Sequence, residues 1–237
     1  MKLSMFLAAT LLVFASMAVA APLCTGLAGT GAGGAVTMAD YLALGSGGCQ
    51  MGDKIFSDFF YQPSSGGDGP AVAASAIFVA PVNPGSYNPG IVFSSSNWFV
   101  SGVNSYYDAS IAFNVTVLRG GAPINDATLT MGADASVSGA GSASIGESIV
   151  AGGGFPELGA LDVDATGPLV DHVSFAPTST VEVSKNFFIG TSLTGDGSAR
   201  IFSFTENFSE VPEPVGAILI GSGLLVLGAW RRRGSRG

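Results

Sequence analysis

His172 is the only histidine in the 237-residue sequence, and it lies in the segment Val-Asp-His-Val-Ser-Phe at 170–175, which we predict to be a strand. A catalytic triad would need a serine nucleophile on a strained turn, but residues 21–210 contain no Gly-x-Ser-x-Gly motif. We therefore expect His172 to face solvent without a catalytic role. The glycine runs lack the Gly-Lys-Ser/Thr ending of a phosphate-binding loop.

Carboxylate pairs are the other candidates for chemistry. Three pairs stand out: Asp162 with Asp164, Asp53 with Asp58, and Glu147 with Glu157. Asp-x-Asp on a strand places both side chains on one face, which suits calcium, and glycosidases also use two carboxylates. The pairs lack the glutamate spacing of a calcium-binding EF-hand, and no Trp-lined groove, as expected of a glycosidase, is indicated beside them. We predict no catalytic residue, metal ligand or cofactor, with a structural calcium ion as an alternative. Otherwise we expect these carboxylates to lie on solvated strand faces.

The composition favours β structure outside the two ends of the sequence. It combines 35 Gly with 11% charged residues, and glycine disfavours helices by about 1 kcal/mol relative to alanine. Sixteen of the 17 acidic residues but only four of the nine basic ones lie in 21–210. Nucleic acid is excluded as a partner, because phosphate binding needs clustered Lys and Arg.

Short apolar-polar alternations separated by Gly, Pro and Asn predict about ten strands in 21–210. This number of strands predicts an all-β fold, a β-sandwich of jelly-roll or immunoglobulin-like kind. One short helix is expected from Thr37, its N-cap, to Leu44. The predicted strands are 54–61, 71–80, 91–95, 111–117, 126–131, 143–150, 158–163, 170–175, 180–189 and 202–208.

Residues 1–20 have the pattern of a signal peptide. A lysine precedes an uncharged apolar stretch, and Ala18 and Ala20 form a small-x-small cleavage site. Export also favours a disulfide between the two cysteines, Cys24 and Cys49, because exported proteins fold in an oxidising environment. Closing a loop of about 25 residues should contribute about 3 kcal/mol.

Residues 211–237 have the pattern of a membrane anchor. The apolar stretch 215–230 predicts a single transmembrane helix, and Arg231, Arg232 and Arg233, within the basic segment 231–236, should hold its end in the cytoplasm. Residues 21–210 would then form the exported domain. Just before the span, the prolines of Pro212-Glu213-Pro214 keep the chain extended, as a protease cleft requires.

The order Pro212-Glu213-Pro214, apolar span and Arg cluster resembles the PEP-CTERM sorting signal, which is also labelled an ice-binding protein C-terminal domain. The resemblance implies a transient membrane span, and a membrane-embedded exosortase as partner, in a bacterium that makes exopolysaccharide. Ice binding itself is not expected, because Thr-x-Thr occurs only at 128–130 and 178–180, in separate strands.

The stretch 41–61, with Leu-Gly-x-Gly-Gly-Cys and Gly-Asp-Lys before an aromatic strand, resembles a group of PEP-CTERM proteins that has no activity we can name. The similarity continues through Trp98, Glu147 and a last strand ending at Phe208-Ser209. The sequence thus predicts a non-enzymatic protein of the cell surface or extracellular matrix, associated with exopolysaccharide. A carbohydrate-binding or carbohydrate-cleaving module is the alternative.

Overall fold

The computed structural model describes residues 20–210, which form one six-residue helix, short 3-10 turns and fourteen strands. The helix α1 spans Met38–Ala43. The strands are β1 (Cys49–Met51), β2 (Lys54–Gly66), β3 (Phe78–Val82), β4 (Gly90–Ser94), β5 (Phe99–Gly102), β6 (Tyr106–Val117), β7 (Ile124–Met131), β8 (Ser136–Gly139), β9 (Gly141–Ala151), β10 (Glu157–Asp164), β11 (Val170–Thr178), β12 (Thr180–Thr191), β13 (Gly197–Arg200) and β14 (Ser203–Glu210).

The strands pair antiparallel throughout and form a β-sandwich, as the sequence predicted. The larger sheet has the order β1-β2-β6-β12-β9-β10, and the opposing sheet has the order β11-β7-β14-β4-β3. A small third sheet, β5-β13-β8, extends the core at one end. From β4 onward, most connections between strands of the two large sheets cross from one sheet to the other.

Nine of the ten predicted strands occur with shifted ends, and the prediction of a strand over 71–80 was largely wrong. Only 78–82 is a strand, because a 3-10 turn at Ala74–Ala76 interrupts the segment. Phe202 lies outside β14 and is 38% exposed, whereas Phe204 and Phe208 are fully buried. The four strands that the sequence did not predict have three or four residues each, too few to show an alternation.

The core lies between the inner faces of the two large sheets, where the inward residues of each long strand alternate with outward ones. Aromatic rings join the two sheets. Phe113 of β6 lies 6.1 Å from Phe93 of β4, and Phe187 of β12 lies 5.8 Å from Phe204 of β14, between ring centroids. Trp98 closes the core beside the third sheet, 4.6 Å from Phe187.

The segment before β1 confirms two predictions. Cys24 and Cys49 form a disulfide across 25 residues. Thr37 is the N-cap of α1, and the carboxylate of Asp40 accepts hydrogen bonds from the Thr37 N–H and Oγ1 at 2.8 and 2.9 Å. Between residues 20 and 210 there is no helix long and apolar enough to cross a bilayer. The predicted membrane helix, 215–230, lies outside the described residues.

Candidate functional site

The outer face of the larger sheet carries small polar side chains at its centre. Strands β6, β12 and β9 turn their larger apolar side chains inward, so the residues between them point outward. The strand register aligns Ser110, Asn186, Gly146 and Asp162 in one row across β6, β12, β9 and β10. A row of small residues leaves room above the sheet, and a Cβ added at Gly146 would meet no atom within 4 Å.

Two connected depressions occupy this outer face. The first, of about 390 Å³, lies over Gly146 between Ser110 and Asn186. The second, of about 190 Å³, extends toward Asn114 and Glu182. Both are lined by residues 148 and 184, so they form one open groove along the sheet.

Aromatic side chains lie on the same face. Phe60 of β2 pairs with Ala112 beside the groove and is 47% exposed. Further along, Tyr106 extends over Gly66 and Phe188 extends over Gly190, since a Cβ at either glycine would overlap the neighbouring ring. The two glycines thus allow the rings to lie close to the sheet, where they offer apolar surface to a ligand.

Carboxylates stand beside these rings and the groove. Asp108 pairs with Phe188 across β6 and β12. Asp58 occupies a bulge of β2 with a positive φ of 54°, and its carboxylate accepts a hydrogen bond from the Asn114 amide at 3.2 Å. The bulge turns Asp58 outward, at the edge of the second depression.

No basic side chain of the described chain lies on this outer face. Lys54 and Lys185 are buried, Arg119 is in the turn after β6, and Arg200 is on β13 of the third sheet. The face therefore combines hydroxyls, an amide, carboxylates and aromatic rings, and its charge disfavours an anionic ligand.

The carboxylate pairs do not form sites as pairs. Asp164 accepts hydrogen bonds from the N–H and Oγ1 of Thr166, and Glu157 is exposed at the start of β10. Within residues 20–210, no three His, Cys, Asp or Glu side chains are grouped as metal ligands would be. His172 is on β11 with half of its side chain exposed, and its Nε2 lies 3.9 Å from Asp126 Oδ2.

The predicted sorting residues Pro212, Glu213 and Pro214, the arginines 231–233 and Ala18 lie outside the described residues. Ala20 is described, and it is exposed.

The prediction that Glu147 lies on a solvated face was wrong, because it belongs to a buried charged cluster. We call Glu147, Lys185 and Glu206 the core triad. The side chains of all three are fully buried, and the Lys185 ammonium bonds the Glu147 carboxylate and lies 2.6 Å from Glu206 Oε2. Glu147 and Lys185 are paired neighbours on β9 and β12, whereas Glu206 reaches across from β14 of the opposing sheet.

A second cluster, the edge triad, consists of Asp53, Lys54 and Glu210. The fully buried Lys54 Nζ lies 2.9 Å from Asp53 Oδ1 and 2.5 Å from Glu210 Oε1, and it donates to the Ala122 carbonyl at 3.3 Å. Burial raises the pKa of Glu210 despite the opposing charge of Lys54. The pKa of Asp53 is lowered, because its bonds with Lys54 and the Ala122 N–H outweigh the effect of its burial.

The lysines of both clusters were not predicted from the sequence, although the apolar-polar alternation of their strands indicates that they face inward. Lys185 occupies the inward phase of Val181, Val183 and Phe187, and Glu206 stands between the inward Phe204 and Phe208. A charged residue in the inward phase of a strand must be paired, because an unpaired buried charge is very unfavourable.

Comparison with known proteins shows no matching family model and no matching curated protein. Among solved structures, the chain is similar to TmCBM61 in complex with β-1,4-galactotriose, with 15% identity and a TM-score of 0.29 over 61% of this chain and 86% of the other. It is also similar to the carbohydrate-binding module TmCBM27, described for specific mannan recognition, with 13% identity and a TM-score of 0.30 over 68% and 90%. A third is the family 11 carbohydrate-binding module of a cellulosomal cellulase of Clostridium thermocellum, with 8% identity and a TM-score of 0.25 over 65% and 89%. At these TM-scores the likeness assigns neither a ligand nor an activity to this chain.

Proposed function

We propose that the domain is a non-catalytic β-sandwich that binds a neutral polysaccharide on the outer face of its larger sheet. The observation that carries this proposal is the presence, on one open face, of exposed aromatic rings beside carboxylates without a basic group. Sugar rings have apolar C–H faces that pack on aromatic rings, and their hydroxyls donate hydrogen bonds to carboxylates. An open groove lined by Ser, Gly and Asn leaves space for an extended chain of sugars.

The strand order supports a jelly-roll assignment for the sandwich. The strands β4, β14, β7 and β11 are neighbours in one sheet, and β6, β12, β9 and β10 are neighbours in the other. This is the arrangement of two interleaved Greek keys, which eight-stranded jelly rolls share. Strands β1, β2 and β3 then extend the two sheets at one edge.

The experiment is affinity electrophoresis of the full protein in gels that contain a soluble β-glucan, a mannan or a galactan. We expect retardation by at least one neutral polysaccharide, and a loss of affinity of about tenfold or more in Phe188→Ala and Tyr106→Ala. The matched controls are Phe202→Ala and Tyr87→Ala, which remove exposed aromatic rings elsewhere on the domain. Absence of retardation by all the polysaccharides, or equal losses in the controls, would argue against this binding face.

We also propose that the domain acts outside the cell, after an exosortase has processed the chain near Pro212-Glu213-Pro214. The support is the order of motif, apolar span and arginines in the sequence. A Glu213→Ala chain expressed with an exosortase should stay in the membrane fraction at precursor size. Normal release of this variant would contradict the sorting proposal and leave the binding face untouched.

A further inference from the structure

The core triad places a lysine amine against two carboxyl groups in an apolar environment. The inward neighbours of Lys185 and Glu206 along their strands are Val183, Phe187, Phe204 and Phe208, and the Phe113 ring centroid is 5.8 Å from Lys185 Nζ. The side chains of the triad have no exposed surface. Water is therefore excluded from these atoms. Water would otherwise stabilise the lysine ammonium and the glutamate carboxylates as separate ions, and it would hydrolyse any acyl derivative of the glutamates.

The hydrogen bonds of the core triad are incomplete. Glu147 Oε1 and Glu206 Oε1 are both buried without a hydrogen-bond partner in the described chain. Burial, and next the nearby Glu147 carboxylate, raise the pKa of Glu206 well above its usual range. In the protonation state that these effects favour, Glu206 is a neutral carboxyl group next to the ammonium of Lys185.

The same protons can be distributed so that no charge remains. Burial by itself would lower the pKa of Lys185, but the two acidic neighbours raise it, so Lys185 does not lose its proton to bulk solvent. Transfer of this proton to Glu147 yields a neutral amine and two neutral carboxyl groups without changing the net charge. In an apolar interior, neutralisation removes the desolvation penalty of the ion pair.

We propose that Lys185 and Glu206 form an intramolecular amide bond in the folded protein, with Glu147 as the group that carries the proton. The neutral Lys185 Nζ attacks the Glu206 carboxyl carbon, a C–N bond forms, and the C–O bond to the carboxyl hydroxyl breaks. Glu147, which holds the proton taken from the Lys185 ammonium, gives a proton to the departing hydroxyl, which leaves as water, and takes one from the amine as the C–N bond forms. No oxidant, reductant or activating cofactor is needed. The products are an amide, one water and a neutral Glu147 carboxyl group, so the net charge of the cluster does not change.

The bond would join β12 of one sheet to β14 of the other. Because β14 ends at Glu210, directly before the predicted sorting motif, the cross-link would transmit tension from the C-terminal side into the larger sheet. This inference does not depend on polysaccharide binding.

Tryptic peptide mapping of the purified full chain tests the proposal. Cleavage after Arg119, Lys185 and Arg200 separates residue 185 from residue 206 in an unlinked chain. In the cross-linked chain, cleavage after Lys185 is blocked, and peptide 120–200 stays joined to the peptide that begins at 201. The joined species should be lighter than its two parts by one water, and fragmentation should locate the bond at Lys185 and Glu206.

Two variants provide controls. Lys185→Met removes the amine, and Glu147→Gln keeps the size of the side chain but removes the proton acceptor, so the second should fold and form the bond about a hundredfold more slowly. Complete tryptic cleavage after Lys185 and the full sequence mass in the wild-type protein would overturn the proposal. A linkage mapped to Glu147, or equal bond formation in Glu147→Gln, would overturn the assigned roles.

Discussion

Replacing Lys54 with Met should destabilise the domain strongly, because it removes the cation of the edge triad and keeps a side chain of similar length. Lys54 has no exposed side-chain surface, and Glu210 has only 7%. Removal of one partner from a buried ion pair costs about 3–5 kcal/mol. Asp53 keeps 30% exposure and its bond from the Ala122 N–H at 2.7 Å, so the unpaired charge resides mainly on Glu210. We expect the lower end of this range, about 3 kcal/mol at pH 7.

The pH dependence distinguishes an unpaired charge from a packing defect. Without Lys54, the pKa of Glu210 in the folded variant rises further above its unfolded value. The destabilisation is then complete above the folded pKa and disappears as the pH falls below the unfolded pKa, near 4.5. The difference between variant and wild type should therefore shrink between pH 7 and pH 4.

Urea denaturation with the disulfide intact measures this difference by linear extrapolation. Arg119→Met is the matched control, because Arg119 is exposed in the turn after β6, and it should change stability by less than about 0.5 kcal/mol. The reasoning would be refuted by a Lys54→Met variant as stable as the control at pH 7, or by a loss that is the same at pH 7 and pH 4.

Three further outcomes are expected. The pKa of Asp40 is lowered to about 2, because hydrogen bonds from Thr30 and Thr37 outweigh the effect of its slight burial. The contribution of Asp40 to stability is therefore lost as the pH falls from about 4 to 2. In urea denaturation, the free energy of unfolding of Asp40→Asn should depend less on pH in this window than that of the wild type. Replacing both cysteines of the disulfide with alanine should lower the free energy of unfolding by about 3 kcal/mol relative to the oxidised wild type, as measured by urea denaturation, and the reduced wild type should be about as stable as the variant. Gly190→Ala should displace the Phe188 ring and weaken retardation in polysaccharide gels, whereas an unchanged mobility would show that the ring position is not important.

The strands of the fold were predictable because their alternation is local. Ile111, Phe113 and Val115 fix the inward phase of β6, and this phase also fixes which residues of β6 face outward. The partners of β6 were not predictable, because pairing with β2 and β12 joins residues about 40 to 84 positions apart. The outer groove is formed by residues of several paired strands. Its lining residues can therefore be identified only when the strand register is known.

The bulge of β2 shows a second limit. Asp58 adopts a positive φ although it is not glycine, and no turn signal surrounds it in an otherwise continuous aromatic strand. The Asp58 side chain accepts a non-local hydrogen bond from Asn114, 56 residues away. A reading of local propensity assigns Asp58 to a regular strand and cannot predict that the bulge directs it to the groove.

The two buried triads both involve the last strand, and this shared feature explains why polar groups are retained in an aromatic core. Lys54 on β2 bonds Glu210, and Lys185 on β12 bonds Glu206, so each lysine connects the larger sheet to β14. A two-residue slip of β14 that moves Phe204 and Phe208 to the positions of Glu206 and Glu210 would keep its aromatic residues on the inward face, but it would place a Phe side chain against each lysine. With aromatic residues alone in the core, such a slip would cost little free energy. With two buried lysines it would cost much more, because both would lose their carboxylate partners. The triads therefore fix the register of β14, the strand that leads to the predicted sorting motif. Hydrophobic residues at the same positions would define this register less strictly.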